Sequence, residues 1–255
     1  EIYTLSLHDA LPILAFNAEC TGSEQGVGIN AFDNATIIGG TMTATGNGGY
    51  YGYGIGSYGN VIIEGGSVIA TGIGSVFGLG ISATTVYTYG GSITATGTNG
   101  ANCGNGINAV DIYINGGSVN AVVNGDEPTP QTKTILRQAQ NKKTKRFPFV
   151  RSSAKSITVD EASAGMFAYG SIYLAWSTPD DRIYADKYYV CEGGSVIALL
   201  PFWNGSETVS GTIDDLTKVN GKTLIPNFPI GVEPSFDGKW IAISSPVHNS
   251  LLGKL

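Results

Sequence analysis

The chain has 255 residues, a net charge of −6, 42% hydrophobic residues, 13% charged residues and 37 glycines. So many apolar residues with so few charges exclude an intrinsically disordered chain, and no apolar run is long enough for a membrane-spanning helix. Glycine at about twice its usual share and charge at about half point to a folded, β-rich chain, long enough for one long or two modest domains.

In chain order, the first thirteen residues, Glu1-Ile-Tyr-Thr-Leu-Ser-Leu-His-Asp-Ala-Leu-Pro-Ile13, resemble the in-frame translation of a common short-read sequencing adapter. Residues 1–14 are therefore expected to be foreign to the fold, with the natural start and any secretion signal lying outside this sequence.

Residues 15–126 carry a repeat. Gly-Ile recurs at Gly28-Ile29, Gly54-Ile55, Gly80-Ile81 and Gly106-Ile107, each 26 residues after the last, and Gly-Gly keeps step at Gly39-Gly40, Gly65-Gly66, Gly90-Gly91 and Gly116-Gly117. Two marks with one period define a repeat architecture, each copy being one coil that buries its apolar face against its neighbours. Before each Gly-Gly stands an alternating segment (Ala35-Thr-Ile37, Val61-Ile-Ile63, Val86-Tyr-Thr88, Ile112-Tyr-Ile114), and another follows it (Met42-Thr-Ala44, Val68-Ile-Ala70, Ile93-Thr-Ala95, Val119-Asn-Ala121). Alternation with period two is the pattern of strands with one buried face. Met42, Val68, Ile93 and Val119 are expected to form one inward ladder, Ala44, Ala70, Ala95 and Ala121 a second, and Ile29, Ile55, Ile81 and Ile107 a third. Glycine pairs are expected at corners, where positive φ or close backbone approach excludes a Cβ. Three short strands per 26 residues predict an all-β, right-handed parallel β-helix.

The motif Ile-x-Gly-Gly-(Ser/Thr)-Val-x-Ala-Thr-Gly, joined to Gly-Ile-x-Ala, resembles the glycine-rich repeats of secreted or wall-attached bacterial surface proteins. It is similar in pattern to the parallel β-helix proteins that bind pectin-type polysaccharide, across about residues 26–125. The resemblance implies an extracellular or cell-surface location and a polysaccharide or cell-wall glycan as partner. Calcium-holding copies in such proteins often carry Asp before Gly-Ile, whereas Val27, Tyr53, Leu79 and Asn105 stand there here, so calcium is not supported in the repeat and no cofactor is expected.

Residues 127–156 interrupt the pattern. The solenoid segment 15–126 contains six acids and no Lys or Arg, whereas Lys133, Arg137, Lys142, Lys143, Lys145, Arg146, Arg151 and Lys155 crowd into the interruption. This charge shift marks a basic linker or insertion, with a short helix expected over Thr134–Lys143 and an end at Phe147-Pro148. It lacks a stacking platform beyond Phe147 and Phe149, so no nucleic-acid partner is expected. Residues 157–255 read as a β-rich module, a sandwich or a resumed solenoid, the sandwich-like separate module being favoured. Strands are expected at Ser156–Val159, Ser171–Trp176 and Lys187–Cys191, and Glu192-Gly-Gly-Ser-Val-Ile-Ala198 repeats Glu64-Gly-Gly-Ser-Val-Ile-Ala70 letter for letter.

A β-helix lyase would need Lys or Arg beside a carboxylate, and a hydrolase close-set carboxylates. The repeat offers neither, and Asp180-Asp181 with Arg182, Asp214-Asp215 and His248 lie outside it, so no catalytic residues are expected. Polysaccharide binding asks only for a rigid face with aromatic rings and neutral hydrogen-bonding groups. Tyr87 and Tyr113 fall in one outward column, with Tyr89, Asn115 and Glu64 one column away, and Tyr50, Tyr51, Tyr53 and Tyr58 are expected to cluster on a corner. The outward threonines Thr43, Thr45, Thr71, Thr94 and Thr96 resemble an ice-binding face, interrupted by Ile69, Asn120 and Val122. Cys20, Cys103 and Cys191 follow no disulfide or metal spacing and read as small buried hydrophobes. The resulting expectation is a monomeric, non-enzymatic surface protein, with a purely structural stalk as the alternative.

Overall fold

A computed structural model describes residues 15–98, 103–125 and 163–228. The fold is all-β: a parallel β-solenoid of about five turns. Its first three strands, β1 (Ala15–Gly22), β2 (Gln25–Ala31) and β3 (Ala35–Ile37), make one coil. The same triad recurs as β4 (Thr41–Gly48), β5 (Tyr51–Ser57) and β6 (Asn60–Ile63), then β7 (Ser67–Gly74), β8 (Phe77–Ser82) and β9 (Thr85–Thr88), then β10 (Ser92–Thr98), β11 (Cys103–Ala109) and β12 (Asp111–Ile114). Stacking builds three parallel sheets: a first on β1-β4-β7-β10, a second on β2-β5-β8-β11 and a third on β3-β6-β9-β12.

The predicted ladders are the cores of these sheets. Met42, Val68, Ile93 and Val119 are buried in register, Ala44, Ala70, Ala95 and Ala121 are fully covered, and Ile55, Ile81 and Ile107 are likewise inaccessible. Ile29 is only half-buried, as are Phe16, Ala18, Ala35 and Ile37 of the same first coil. With Val61, Ile63, Val86, Ile112 and Ile114 of the third sheet, these side chains fill one lobe of the cross-section.

The other part of the cross-section is a wing in which the backbones of the first and second sheets face each other across glycines. Gly46, Gly72 and Gly97 of the first sheet lie directly against the backbone carbonyls of Tyr53, Leu79 and Asn105 of the second. From the opposite side, a Cβ added at Gly54 would sit 2.5 Å from Thr71 N, and one at Gly80 2.7 Å from Thr96 N. The Gly-Ile dipeptide therefore marks the junction: glycine touches the wing's facing backbone, and isoleucine turns into the lobe. Gly-Gly has the other role, since Gly40, Gly66, Gly91 and Gly117 all take positive φ, between 79° and 91°, at the corner from the third sheet to the first.

Of the two arrangements open for 157–255, the described residues resume the coil. After β13 (Ser118–Asn124), the strands β14 (Ala164–Ala168), β15 (Ile172–Leu174), β16 (Arg182–Ala185), β17 (Tyr188–Val190) and β18 (Val196–Trp203) pair in parallel with the existing sheets. The separate module favoured from sequence gives way because Met166, Ala168, Ile172, Leu174, Ile183 and Ala185 continue the inward columns despite the lost spacing. Two antiparallel strands then close this end. β19 (Thr208–Thr212) pairs β18, and β20 (Lys222–Pro226) pairs both β16 and β18, so it joins the edges of the first and third sheets. The expected strands at 171–176 and 187–191 appear as β15 and β17; the expected strand at 156–159, the basic segment 133–155 and its helix, residues 1–14, and His248 lie outside the described residues.

The repeated heptapeptide changes place. Glu64–Ala70 turns from the third sheet into the first, with Gly66 at positive φ, whereas Glu192–Ala198 enters the third sheet, with Gly193 at positive φ. What both copies keep is the alternation: Val68 and Ala70, like Val196 and Ala198, point inward and are buried.

Candidate functional site

The outer face of the third sheet carries the most regular set of sequence-predicted residues. β9, β12 and β15 place Tyr87, Tyr113 and Tyr173 on successive coils of one column, flanked by Ile62 and Ile197. Because strands alternate, this column is the outward partner of the buried Val86, Ile112 and Ile172. The ring centroids of Tyr87 and Tyr113 are 5.0 Å apart and those of Tyr113 and Tyr173 4.6 Å, with interplanar angles of 12° and 5°. Tyr89, half exposed, stacks on Tyr87 at 6.4 Å. Glu64 is exposed and Asn115 half-buried at the equivalent position of neighbouring coils, where Glu64 N, Tyr89 N and Asn115 N donate to the carbonyls of Ile37, Ile63 and Thr88.

This geometry alters what the column presents. The tyrosine rings stack on one another, so their faces are largely used within the protein, and the outward surface consists of ring edges and phenol hydroxyls. Burial between its neighbours, with Asp111 and the hydroxyl of Tyr173 alongside, raises the Tyr113 pKa above that of an ordinary tyrosine. Tyr113 is therefore neutral, and its hydroxyl can donate and accept hydrogen bonds throughout the physiological range.

The other predicted tyrosines do not form one cluster. Tyr50 lies in the turn before β5; Tyr51 and Tyr53 lie within β5 on the second sheet; Tyr58 follows the far end of β5. Tyr51 stacks on Phe77 at 5.5 Å and Tyr58 on Phe32 at 5.8 Å, so they form two short stacks at opposite ends of the strand, on a different sheet from Tyr87 and Tyr113. The corner expected from sequence fails because a seven-residue strand separates its members. Tyr173 was missed, although Ile172-Tyr-Leu174 follows the same pattern as Ile112-Tyr-Ile114; the sequence from 126 to 162 breaks the period.

On the first sheet, Thr45, Thr71 and Thr96 align without a break, while Ile69 separates Thr43 from Thr94 in the neighbouring column. Asn120 and Val122 end both columns one coil later.

The acids outside the repeat hold backbone. Asp181, buried, accepts from Ser177 N at 2.6 Å, Thr178 N at 3.0 Å and Thr178 Oγ1 at 2.7 Å. Burial alone would raise its pKa, but these hydrogen bonds, with one from the Gly117 backbone, outweigh it and hold the carboxyl below the ordinary value. Asp186 accepts from Val123 N and Lys187 N, and Asp111 from Ser171 N. Asp215 caps the short 3-10 turn Leu216–Lys218, and with Asp214 lines a shallow open groove against β19. Among the described residues, no three His, Cys, Asp or Glu side chains group as metal ligands. Cys20 departs from the buried reading: it is exposed, at the position that Gly46 fills one coil later. Cys191 is half-buried, and burial raises its thiol pKa. No helix among the described residues is long and apolar enough to cross a membrane.

No family model matches the chain, and neither a curated protein nor a solved structure matches it at a significant level.

Proposed function

We propose that this is a non-enzymatic, extracellular or cell-surface protein that holds a polysaccharide, such as a cell-wall or pectin-type glycan, on the outer face of its third sheet. The observation that carries this reading is the unbroken tyrosine column on three coils, Tyr87, Tyr113 and Tyr173, on a rigid parallel sheet. With the ring faces engaged in the stack, the glycan contact consists of hydrogen bonds to phenol hydroxyls, Glu64 and Asn115, and of apolar contact with ring edges and Ile62. The protein works as a monomer and needs neither cofactor nor nucleic acid.

Affinity electrophoresis through pectin, glucan, mannan and peptidoglycan gels tests this. The wild-type chain is expected to be retarded in at least one, and replacing Tyr87 and Tyr113 together with Ala is expected to weaken retention by roughly 1–3 kcal/mol. Tyr→Phe at the same positions keeps the stack and removes the hydroxyls, so it should also lose retention. A purely structural stalk is the second reading, favoured by the same ring-on-ring stacking, which stabilises the sheet with no ligand present. A wild-type chain that migrates unretarded in all four gels establishes the stalk in place of the binding protein.

A further inference from the structure

Tyr113 and Tyr173 are 60 positions apart in sequence, on either side of residues 126–162, yet their rings are the most closely stacked on the sheet, 4.6 Å between centroids and 5° from parallel. Register brings the two side chains to neighbouring positions, since Ile112↔Ile172, Tyr113↔Tyr173 and Ile114↔Leu174 are successive pairs of one parallel ladder. Both rings are half-buried, so each keeps an edge toward solvent. The described cysteines offer no alternative staple, as Cys20 and Cys191 are both free.

We propose that Tyr113 and Tyr173 form an oxidative cross-linking site that yields a dityrosine bond between adjacent coils. The co-reactant is hydrogen peroxide, used through a haem peroxidase. Each phenol gives up one electron and its hydroxyl proton, leaving a phenoxyl radical with spin density on the ring carbons ortho to oxygen. The two radicals couple ortho to ortho, forming one carbon–carbon bond. Each ring then moves its ortho proton to oxygen and regains its aromaticity and its hydroxyl. In total the protein loses two hydrogen atoms and one peroxide becomes two waters. Tyr89, exposed and stacked on Tyr87, gives the oxidant an entry point, and the Tyr87–Tyr113 stack at 5.0 Å leads from it to the coupling pair. The bond would tie the coil before residues 126–162 to the coil after them, constraining the unfolded chain as a disulfide does.

The sequence makes this product easy to recognise. The first Lys or Arg is Lys133, so Tyr87 and Tyr113 share the tryptic peptide 1–133, whereas Tyr173 lies in 156–182, between Lys155 and Arg182. Dilute protein treated with a haem peroxidase and hydrogen peroxide is expected to gain dityrosine fluorescence. Trypsin should then yield 1–133 joined to 156–182, lighter than the two peptides by two hydrogens, with fragment spectra placing the bond on Tyr113 and Tyr173. Tyr173→Phe keeps the stack and is expected to abolish the joined peptide, whereas Tyr169→Phe, within the same tryptic peptide, should leave it. The proposal is overturned if the treated wild type gives no joined peptide, if the joined peptide survives Tyr173→Phe, or if mixing isotope-labelled and unlabelled chains shows the bond to lie between two copies.

Discussion

The lobe and the wing are built from the same coils by opposite means. In the lobe, Ile55, Ile81, Ile107, Ile63 and Ile114 remove large apolar side chains from water, and their burial drives stacking. In the wing, Gly46, Gly72 and Gly97 remove almost nothing; they bring two sheets together through their backbones, at a distance no side chain survives. Stability accordingly comes from the lobe, and the shape of the coil from the wing. A lobe position that loses a methyl group leaves neighbours that relax in part, whereas a wing position has only the facing backbone to displace.

The largest expected effect breaks the wing. A side chain at Gly72 would be driven into the Leu79 carbonyl, and the opposing backbone is fixed above and below by ladder pairs. Gly72→Val is expected to cost more than about 3 kcal/mol, or to prevent folding. Urea unfolding followed by far-ultraviolet circular dichroism measures it. A shift no greater than that of an ordinary surface substitution would mean that the sheets can part and that the wing does not set the shape.

A smaller effect sharpens the boundary between the two regions. Ala95 lies between them: it is fully buried, and its carbonyl faces Gly106, so it has the inward direction of the lobe and the crowding of the wing. Ala95→Leu is expected to destabilise by roughly 1–3 kcal/mol through overpacking, while Thr96→Val, the next residue and outward-facing, stays within about 0.5 kcal/mol. Equal shifts for the two would contradict the inward and outward assignments on which the comparison rests.

The lobe was legible in the sequence and the wing only in part. Period-two alternation identifies inward residues wherever they occur, which is why Met42, Ala44, Val68 and Ala70 were placed on the right face. Alternation carries no information about which sheet a strand joins, so the heptapeptide at 192–198 lands in a different sheet from its twin at 64–70. Glycine columns were visible, but a glycine needed for positive φ, such as Gly66, reads the same as one needed for close approach, such as Gly72. The tyrosine column was legible as far as its period lasted. Tyr87 and Tyr113 were paired correctly in register, and Tyr173 was lost where residues 126–162 break the count. That the rings would stack on one another, rather than lie open, depends on side-chain rotation that spacing does not encode.

The smallest expected effect concerns a corner of the lobe, away from the wing. Asp181 receives hydrogen bonds from the turn at Ser177 and Thr178 and from the backbone of Gly117, the positive-φ glycine where the chain passes from the third sheet to the first. Its folded pKa is depressed, so its contribution is fully present above the unfolded aspartate pKa of about 3.9 and is lost as pH falls below that value toward the lower folded pKa. Protonation loosens the corner while leaving both the apolar lobe and the glycine wing intact. The expected cost is on the order of 1 kcal/mol, that of a charge-assisted hydrogen bond weakened to a neutral one. Urea midpoints measured from pH 6 down to pH 3 should fall in the wild type more than in Asp181→Asn, which lacks the titrating group and starts from a lower midpoint at pH 6. If the two chains lose stability in parallel over that range, the acid sensitivity belongs to other carboxylates, and the corner is held by Gly117 geometry and the flanking ladders without help from the Asp181 charge.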